Sequence, residues 1–170
     1  LYREVLLGLA AAEREAPGEI ASVGIDSWAV DYGLLRGGRS LGEPFHYRDE
    51  RNDAGVVSVH EIVPAEELYA RNGLQFLAFN TLFQLATEGE LLQLADEALL
   101  IPDLIAYWLT GVSVAERTNA STTGLLRADT REWDTDLMRR LGLPDSLMPA
   151  LVDPGVTIGR MTEDVAEKVG

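Results

Sequence analysis

The sequence predicts a mixed α/β domain, and three observations carry that prediction. Residues 1–15 repeat apolar side chains at helical spacing, with charged side chains off that face, which is typical of an amphipathic helix. Two short apolar runs follow, residues 20–25 and 28–35, and their β-branched and aromatic content favours strands. A third short strand is expected at residues 41–47, and the order helix, strand, strand, strand favours a mixed α/β layer over an all-helical bundle.

Composition narrows the class of protein. Of the 170 residues, 46% are hydrophobic and 25% are charged, as in a globular domain with a sizeable core. The formal net charge of −14 disfavours nucleic acid and anionic membrane surfaces as partners. The chain has no cysteine, which excludes disulfides, thiolate metal sites and a cysteine nucleophile. It shows neither a signal peptide nor an apolar run of the ~20 residues that span a bilayer, so the cytoplasm is the expected compartment.

Turn and cap residues set the expected boundaries of these elements. Pro17-Gly18 ends the first helix, and Gly37-Gly38 turns the second predicted strand into a hairpin partner at residues 41–47. Asp134 has the position of an N-cap at the start of a helix. Further helical segments are expected at 56–63, 65–70, 81–86, 91–94, 104–109 and 162–169, with a short buried segment at 98–101 and a last strand at 156–158.

Two acids interrupt the apolar runs and are the first candidates for a site. Asp26 follows the first run and Asp31 lies inside the second. A buried carboxylate is costly unless it is paired, hydrogen-bonded or in contact with a ligand. Regular strand backbone directs these two side chains to opposite faces, so a shared metal or proton needs a sharp turn at residues 27–29.

Other chemistries have less support from the residues. His46 and His60 lie fourteen positions apart with no ligand spacing around them, so no metal site is expected. The sequence contains no P-loop and no G-x-G-x-x-G. A carboxylate-based metal hydrolase that uses Asp26 and Asp31 remains an alternative. Residue patterns alone therefore predict an α/β domain with a polar pocket near residues 26–31.

Several longer stretches follow one another in a fixed order. They are GIDSWAVDYGLL (24–35), PFHYRDER (44–51), RNGLQFLAFNTLFQL (71–85), LLIPDLIAYWLTG (99–111), ERTNASTTGLL (116–126), REWDTDLMRRLGLP (131–144) and VDPGVTIGRMT (152–162). Each motif alone is weak, whereas the ordered set is specific. Taken together from residue 20 onwards, these stretches resemble the N-terminal half of the FGGY carbohydrate kinases.

That resemblance implies two actin-like (ribonuclease H-like) domains around a cleft, with the sugar held mainly by the first domain and ATP mainly by the second. Residues 1–170 are then expected to be part of the N-terminal, sugar-binding domain, without its first strands and without the C-terminal nucleotide lobe. The general base of the family is expected beyond Gly170. We therefore expect no catalytic, cofactor-binding or metal-binding residue in this chain, and no activity from the chain alone.

The activity that the resemblance implies is phosphorylation of a ketose, with ATP and Mg²⁺ as cofactors. L-Rhamnulose is the expected substrate, and L-fuculose or xylulose is an alternative; a non-catalytic sugar-binding module is an alternative of a different class. The expected sugar contacts are Ala29, Asp31, Trp28 and Asn80. Ala29 stands where related members have a glycine that contacts the ketose, so a requirement for positive φ would strain it. Trp28 either stacks on the sugar or fills the core.

Overall fold

The computed structural model describes residues 1–170 and shows a small sheet covered by helices. The helices are α1 (Tyr2–Glu15), α2 (Arg51–Ile62), α3 (Ala65–Asn72), α4 (Thr81–Leu85), α5 (Glu90–Leu94), α6 (Ile101–Thr110), α7 (Arg117–Ala120), α8 (Thr135–Arg140) and α9 (Glu163–Val169). The strands are β1 (Tyr32–Arg36), β2 (Arg39–Ser40), β3 (Glu97–Leu100), β4 (Ala115–Glu116) and β5 (Leu151–Val152). None of the helices is long and apolar enough to cross a membrane.

The main sheet has three strands in the order β2-β1-β3. β1 is antiparallel to both neighbours, and its pairing with β3 runs from Tyr32 opposite Leu100 to Leu35 opposite Glu97. A separate parallel pair joins β4 and β5. The predicted α/β class is therefore confirmed, and β1 is its central strand.

The sheet divides the hydrophobic core into two parts, as alternating side chains on a strand require. Tyr32 and Leu34 belong to the larger cluster of 18 buried residues, together with side chains from α2, α4 and α8. Leu35 points to the other face and belongs to a cluster of 7 buried residues, which α6 dominates and against which α1 packs. Both faces of β1 are consequently covered.

Helices α2 and α4 approach one another unusually closely. A Cβ atom added to Gly55 of α2 would lie 1.9 Å from the carbonyl oxygen of Phe83 in α4. Only glycine allows this approach without a movement of one helix. The contact holds α4 in a fixed position beside the start of β1.

The region before β1 differs most from the prediction. The predicted strand at 20–25 is wrong: these residues pair with no strand, and the side chains of Ile20 and Val23 are exposed. An extended segment becomes a strand only when a neighbour completes its backbone hydrogen bonds. The second predicted strand begins only at Tyr32, because Val30 has a φ of +69° that interrupts the extended backbone.

Two further strand predictions are wrong. Residues 41–47 do not form the hairpin partner of β1: the paired strand is Arg39–Ser40, and of the predicted residues Leu41 adds one backbone hydrogen bond, to the Leu34 carbonyl at 2.9 Å. Residues 156–158 are not a strand, because the pairing partner of β4 is Leu151–Val152 instead. The helix predictions are confirmed within one or two residues at α1, α3, α4, α5 and α9. Helices α2 and α6 are also present, but they begin five and three residues before the predicted segments, at Arg51 and Ile101. Asp134 is confirmed as the N-cap of α8, since its side chain accepts a hydrogen bond from the Leu137 backbone N–H at 3.0 Å.

Candidate functional site

Asp31 is the buried acid of the candidate site. It precedes β1 directly and is 2% exposed. Its Oδ2 accepts a hydrogen bond from the indole Nε1 of Trp28 at 2.7 Å, whereas its Oδ1 is buried without a partner. Burial raises the pKa of Asp31, and the hydrogen bond from Trp28, the nearby Gln84 amide, the charge of His46 and the Tyr47 backbone N–H oppose that rise. A buried carboxylate oxygen without a donor is unfavourable, so Oδ1 is available to accept a hydrogen bond from a ligand.

Val30 forms a strained turn immediately before Asp31. Its φ of +69° lies in the left-handed region, which is unfavourable for a β-branched residue. The backbone N–H of Asp31 donates to the carbonyl oxygen of Ala29 at 2.9 Å, which closes a three-residue γ-turn around Val30. This positive-φ form of the γ-turn is rare and strained. Strained backbone of this kind is concentrated at functional sites.

Ala29 has no positive φ. The left-handed residue of this turn is therefore Val30 and not Ala29, the position at which the resemblance implies a glycine. Alanine therefore adopts the backbone conformation at position 29 without the strain that a positive φ would cause. A ligand contact through the backbone of residue 29 does not require glycine.

Trp28 is a surface side chain rather than a core one. It is 42% exposed, so the interpretation that it fills the core is wrong. Its N–H is fixed by Asp31 while much of its ring faces solvent. A tryptophan held in this way offers an apolar face beside a polar anchor, which suits a ligand with both kinds of surface.

Asn80 lies next to the residues that contact the turn. It is buried, and its side-chain Nδ2 donates to the carbonyl oxygen of Thr122 at 2.9 Å, so it connects α4 to the segment after α7. It also lines a mostly apolar cavity of about 120 Å³ with His60 and the rings of Phe76 and Phe83. The neighbouring Thr81 donates to the Val30 carbonyl, so the structure brings residues 28–31 and the start of α4 together.

Asp26 does not join this site. Its side chain is exposed, whereas Asp31 is buried against Trp28. The chain brings together no group of three or more His, Cys, Asp or Glu side chains that could hold a metal ion. The paired-carboxylate hydrolase therefore has no support in the geometry.

A second polar network fixes the other side of β1. The Tyr32 hydroxyl donates to Glu88, whose carboxylate pairs with the guanidinium of Arg51 at 3.0 Å. The Arg51 guanidinium also lies over the ring of Phe45, 3.7 Å from its centroid. Burial and the charge of Glu88 raise the pKa of Tyr32, so its hydroxyl stays protonated and remains a donor. The stretch PFHYRDER is thereby attached to the strand that follows the candidate site.

Three residues of this region, Val30, Thr81 and Gln84, were not among the predicted site residues. The sequence did contain a signal for the last two: they lie three positions apart in an otherwise apolar helical segment and therefore share one helix face. Nothing in the sequence indicated that Val30 would be left-handed, because its residue type opposes that conformation.

Comparison with known proteins gives the family. Residues 14–170 match the FGGY family of carbohydrate kinases, N-terminal domain. The chain belongs to the FGGY family. The prediction made from the ordered motifs is thus confirmed, and the strained turn before β1 belongs to the N-terminal domain of an FGGY protein.

Several FGGY proteins show how far the similarity extends. The rhamnulokinase of Enterococcus faecalis is 45% identical over 161 residues, which cover 94% of this chain and 32% of that protein. The rhamnulokinase of Pectobacterium carotovorum is 43% identical over 167 residues, which cover 94% of this chain and 33% of that protein. The chain therefore spans about a third of the length of the curated relatives it matches.

Solved structures confirm the predicted fold of the FGGY N-terminal domain. The gluconate kinase of Lactobacillus acidophilus superposes with a TM-score of 0.90 at 21% identity, covering 99% of this chain and 35% of that one. A ligand-bound xylulose kinase from the same organism has a TM-score of 0.90 at 21% identity and covers 99% of this chain and 36% of that one. At such identities the similarity establishes the fold alone.

Proposed function

We propose that this chain forms part of the sugar-binding domain of a kinase that phosphorylates a ketose, and that the ketose is L-rhamnulose. The observation that carries the proposal is the buried Oδ1 of Asp31, which has no donor, on a strained turn beside an exposed indole. Membership of the FGGY family supports a carbohydrate as the substrate class. The relatives named rhamnulokinase support L-rhamnulose, with L-rhamnulose 1-phosphate as the product.

Each proposed sugar contact has a separate physical role. Asp31 accepts a hydrogen bond from a sugar hydroxyl, and a bond to a charged acceptor is stronger than one between neutral groups. Trp28 packs its ring against the apolar face of the sugar. Ala29 contacts the sugar through its backbone, and Asn80 closes the site on the side of α4.

The phosphoryl-transfer machinery is assigned to parts of the protein outside residues 1–170. Phosphoryl transfer depends on positioning and on neutralising the phosphate charge with Mg²⁺ and hydrogen-bond donors. We propose that ATP, Mg²⁺ and the general base belong to a nucleotide lobe of the same protein, which acts in the cytoplasm.

The test is a coupled ADP-release assay on the protein encoded by the complete reading frame that contains this chain. Ketoses to compare are L-rhamnulose, L-fuculose and D-xylulose, and L-rhamnulose is expected to give the highest kcat/KM. A higher kcat/KM with another ketose would overturn the assignment of L-rhamnulose. Binding of a ketose without ADP release would instead indicate a sugar-binding module and would overturn the kinase proposal. The isolated 170-residue chain is the matched control and is expected to release no ADP above background.

A further inference from the structure

Two buried side chains hold the strained turn, and the roles proposed above use neither of them. We infer that Thr81 and Gln84 are positioning residues: they keep Val30 left-handed and thereby orient Asp31 and Trp28 toward the ligand. The part of this inference that concerns the ligand rests on the proposed sugar-binding function. The part that concerns the turn stands on the geometry alone.

The turn needs support from outside because its own residues disfavour it. Val30 combines a branched Cβ with a φ of +69°, and single residues that visit this region are usually glycine or asparagine. The local hydrogen bond from the Asp31 N–H to the Ala29 carbonyl closes the turn but does not remove the steric conflict at Val30. A free peptide of this sequence would relax to an extended backbone.

The support comes from α4. The Val30 carbonyl oxygen accepts hydrogen bonds from Thr81 Oγ1 at 2.8 Å and from Gln84 Nε2 at 3.2 Å. Both donor side chains are fully buried, so water does not compete for the carbonyl. The same Gln84 nitrogen also donates to the Phe79 carbonyl oxygen at 2.9 Å, which uses its second hydrogen and fixes the orientation of the amide.

The helix that supplies these donors is itself held rigidly. Its Phe83 carbonyl lies against Gly55 of α2 with no room for a side chain between them. The carbonyl of Asp31 is fixed in addition by the Ile101 N–H at 3.1 Å, at the start of α6. The turn is therefore anchored on both sides of the Val30–Asp31 peptide, and the bond between Trp28 and Asp31 bridges it from the solvent side.

The test uses the full-length protein and the near-isosteric variant Thr81→Val, with Thr81→Ser as the control that keeps the hydroxyl. The measurement is an NMR spectrum of protein labelled with ¹³C at the valine carbonyl and with ¹⁵N in aspartate. In such a sample only peptide bonds from a valine to a following aspartate give a signal, and residues 1–170 contain two of them, Val30-Asp31 and Val152-Asp153. Thr81→Val is expected to shift the NMR signal of Val30-Asp31 and to leave the signal of Val152-Asp153 unchanged. An unchanged first signal would overturn the inference, whatever the ligand.

The same variants test the link to the sugar by calorimetry. Thr81→Val is expected to weaken binding of L-rhamnulose about tenfold, which is the usual size for one lost buried hydrogen bond, while the KM for ATP and the kcat stay within about twofold. Thr81→Ser is expected to bind like the wild type. A purely structural role would lower the melting temperature and leave the affinity of the folded protein unchanged, and that result would contradict the inference.

A double-variant cycle separates the turn from other effects of Thr81. Glycine adopts the left-handed conformation without strain, so Thr81→Val is expected to weaken sugar binding less in a Val30→Gly background than in the wild type. Equal losses in both backgrounds would contradict the claim that Thr81 acts through Val30. If the wild type bound none of the ketoses, the proposed function would fail, and the labelled Val30-Asp31 signal would still decide whether Thr81 holds the turn.

Discussion

Asp31 and Asp134 are equally buried, at 2% exposed each, but they differ in the number of donors that surround them. The carboxylate of Asp134 accepts hydrogen bonds from Arg71 Nη1 at 3.1 and 2.9 Å and from the Leu137 N–H at 3.0 Å. The carboxylate of Asp31 accepts one bond from Trp28, and its second oxygen makes no hydrogen bond of regular geometry, although the Gln84 amide and the Tyr47 backbone N–H lie near enough to lower its pKa. A carboxylate with all its bonds made inside the protein stabilises the fold, whereas one with an oxygen left over can bind a ligand.

The largest expected effect separates these two acids by stability. Asp134→Ala removes the N-cap of α8 and leaves Arg71 without its buried partner, so the free energy of unfolding is expected to fall by about 3 kcal/mol. Asp31→Ala, the matched variant, is expected to lower it by about 1 kcal/mol or less, because it removes one bond together with an unpartnered oxygen. Urea unfolding measures both. An equal loss in the free energy of unfolding for the two variants would contradict the distinction between a structural and a ligand-binding acid.

A third buried acid, Asp103, is expected to make the free energy of unfolding depend on pH. Its Oδ1 accepts a hydrogen bond from the Glu116 N–H at 3.2 Å, and its Oδ2 is buried without a donor. Burial raises the pKa of Asp103 from 3.8 to about 7. The folded state thus binds this proton more tightly than the unfolded state, so the group lowers stability progressively as the pH rises from about 4 to about 7.

Asp103→Asn is expected to remove that pH-dependent loss. The variant should gain up to about 4 kcal/mol in the free energy of unfolding near pH 8 and little near pH 4, where the wild-type carboxyl is neutral in the folded state. The measurement is the difference between variant and wild type in urea unfolding across this range. A difference that does not change with pH would show that Asp103 is not the titrating group.

The smallest expected effect concerns the single donor of Asp31. Trp28→Phe keeps an aromatic ring but removes the N–H, so the pKa of Asp31 is expected to rise further. Stability is expected to change by about 0.5 kcal/mol or less because the side chain is partly exposed, while ketose affinity falls by roughly threefold to tenfold. Calorimetry with L-rhamnulose near neutral pH measures the affinity. An unchanged affinity would show that the hydrogen bond of the Trp28 indole does not contribute to ketose binding.

The sequence predicted the helices and Asp134 well because their signals are local. Apolar spacing and end residues such as Pro17 and Gly111 define α1 and α6, and an aspartate before an apolar helical repeat is an N-cap. The sequence predicted the role of Asp31 only in part. An acid within an apolar run is expected to be buried, and a buried carboxylate is expected to be hydrogen-bonded or in contact with a ligand. Its hydrogen-bond partners were not predictable from spacing alone.

The strand at 20–25 and the turn at Val30 were not predictable, for opposite reasons. Residues 20–25 have strand composition, but a strand also needs a neighbour, and none lies beside them. Val30 is a residue type that disfavours the left-handed conformation. Hydrogen bonds from two residues of α4, which lie 51 and 54 positions later in the sequence, stabilise that conformation. Tertiary contacts overrode local preference at the position where the candidate site lies.

The most direct test of the account is calorimetric titration of L-rhamnulose into the full-length protein and two variants. Asp31→Asn removes the buried charge, and Asp26→Asn makes the same change at an exposed acid five residues earlier. We predict that Asp31→Asn weakens binding about tenfold to a hundredfold, which is the usual size for a lost hydrogen bond to a charged group, and that Asp26→Asn stays within about twofold of the wild type. Wild-type affinity in Asp31→Asn, or the same loss in both variants, would contradict the account.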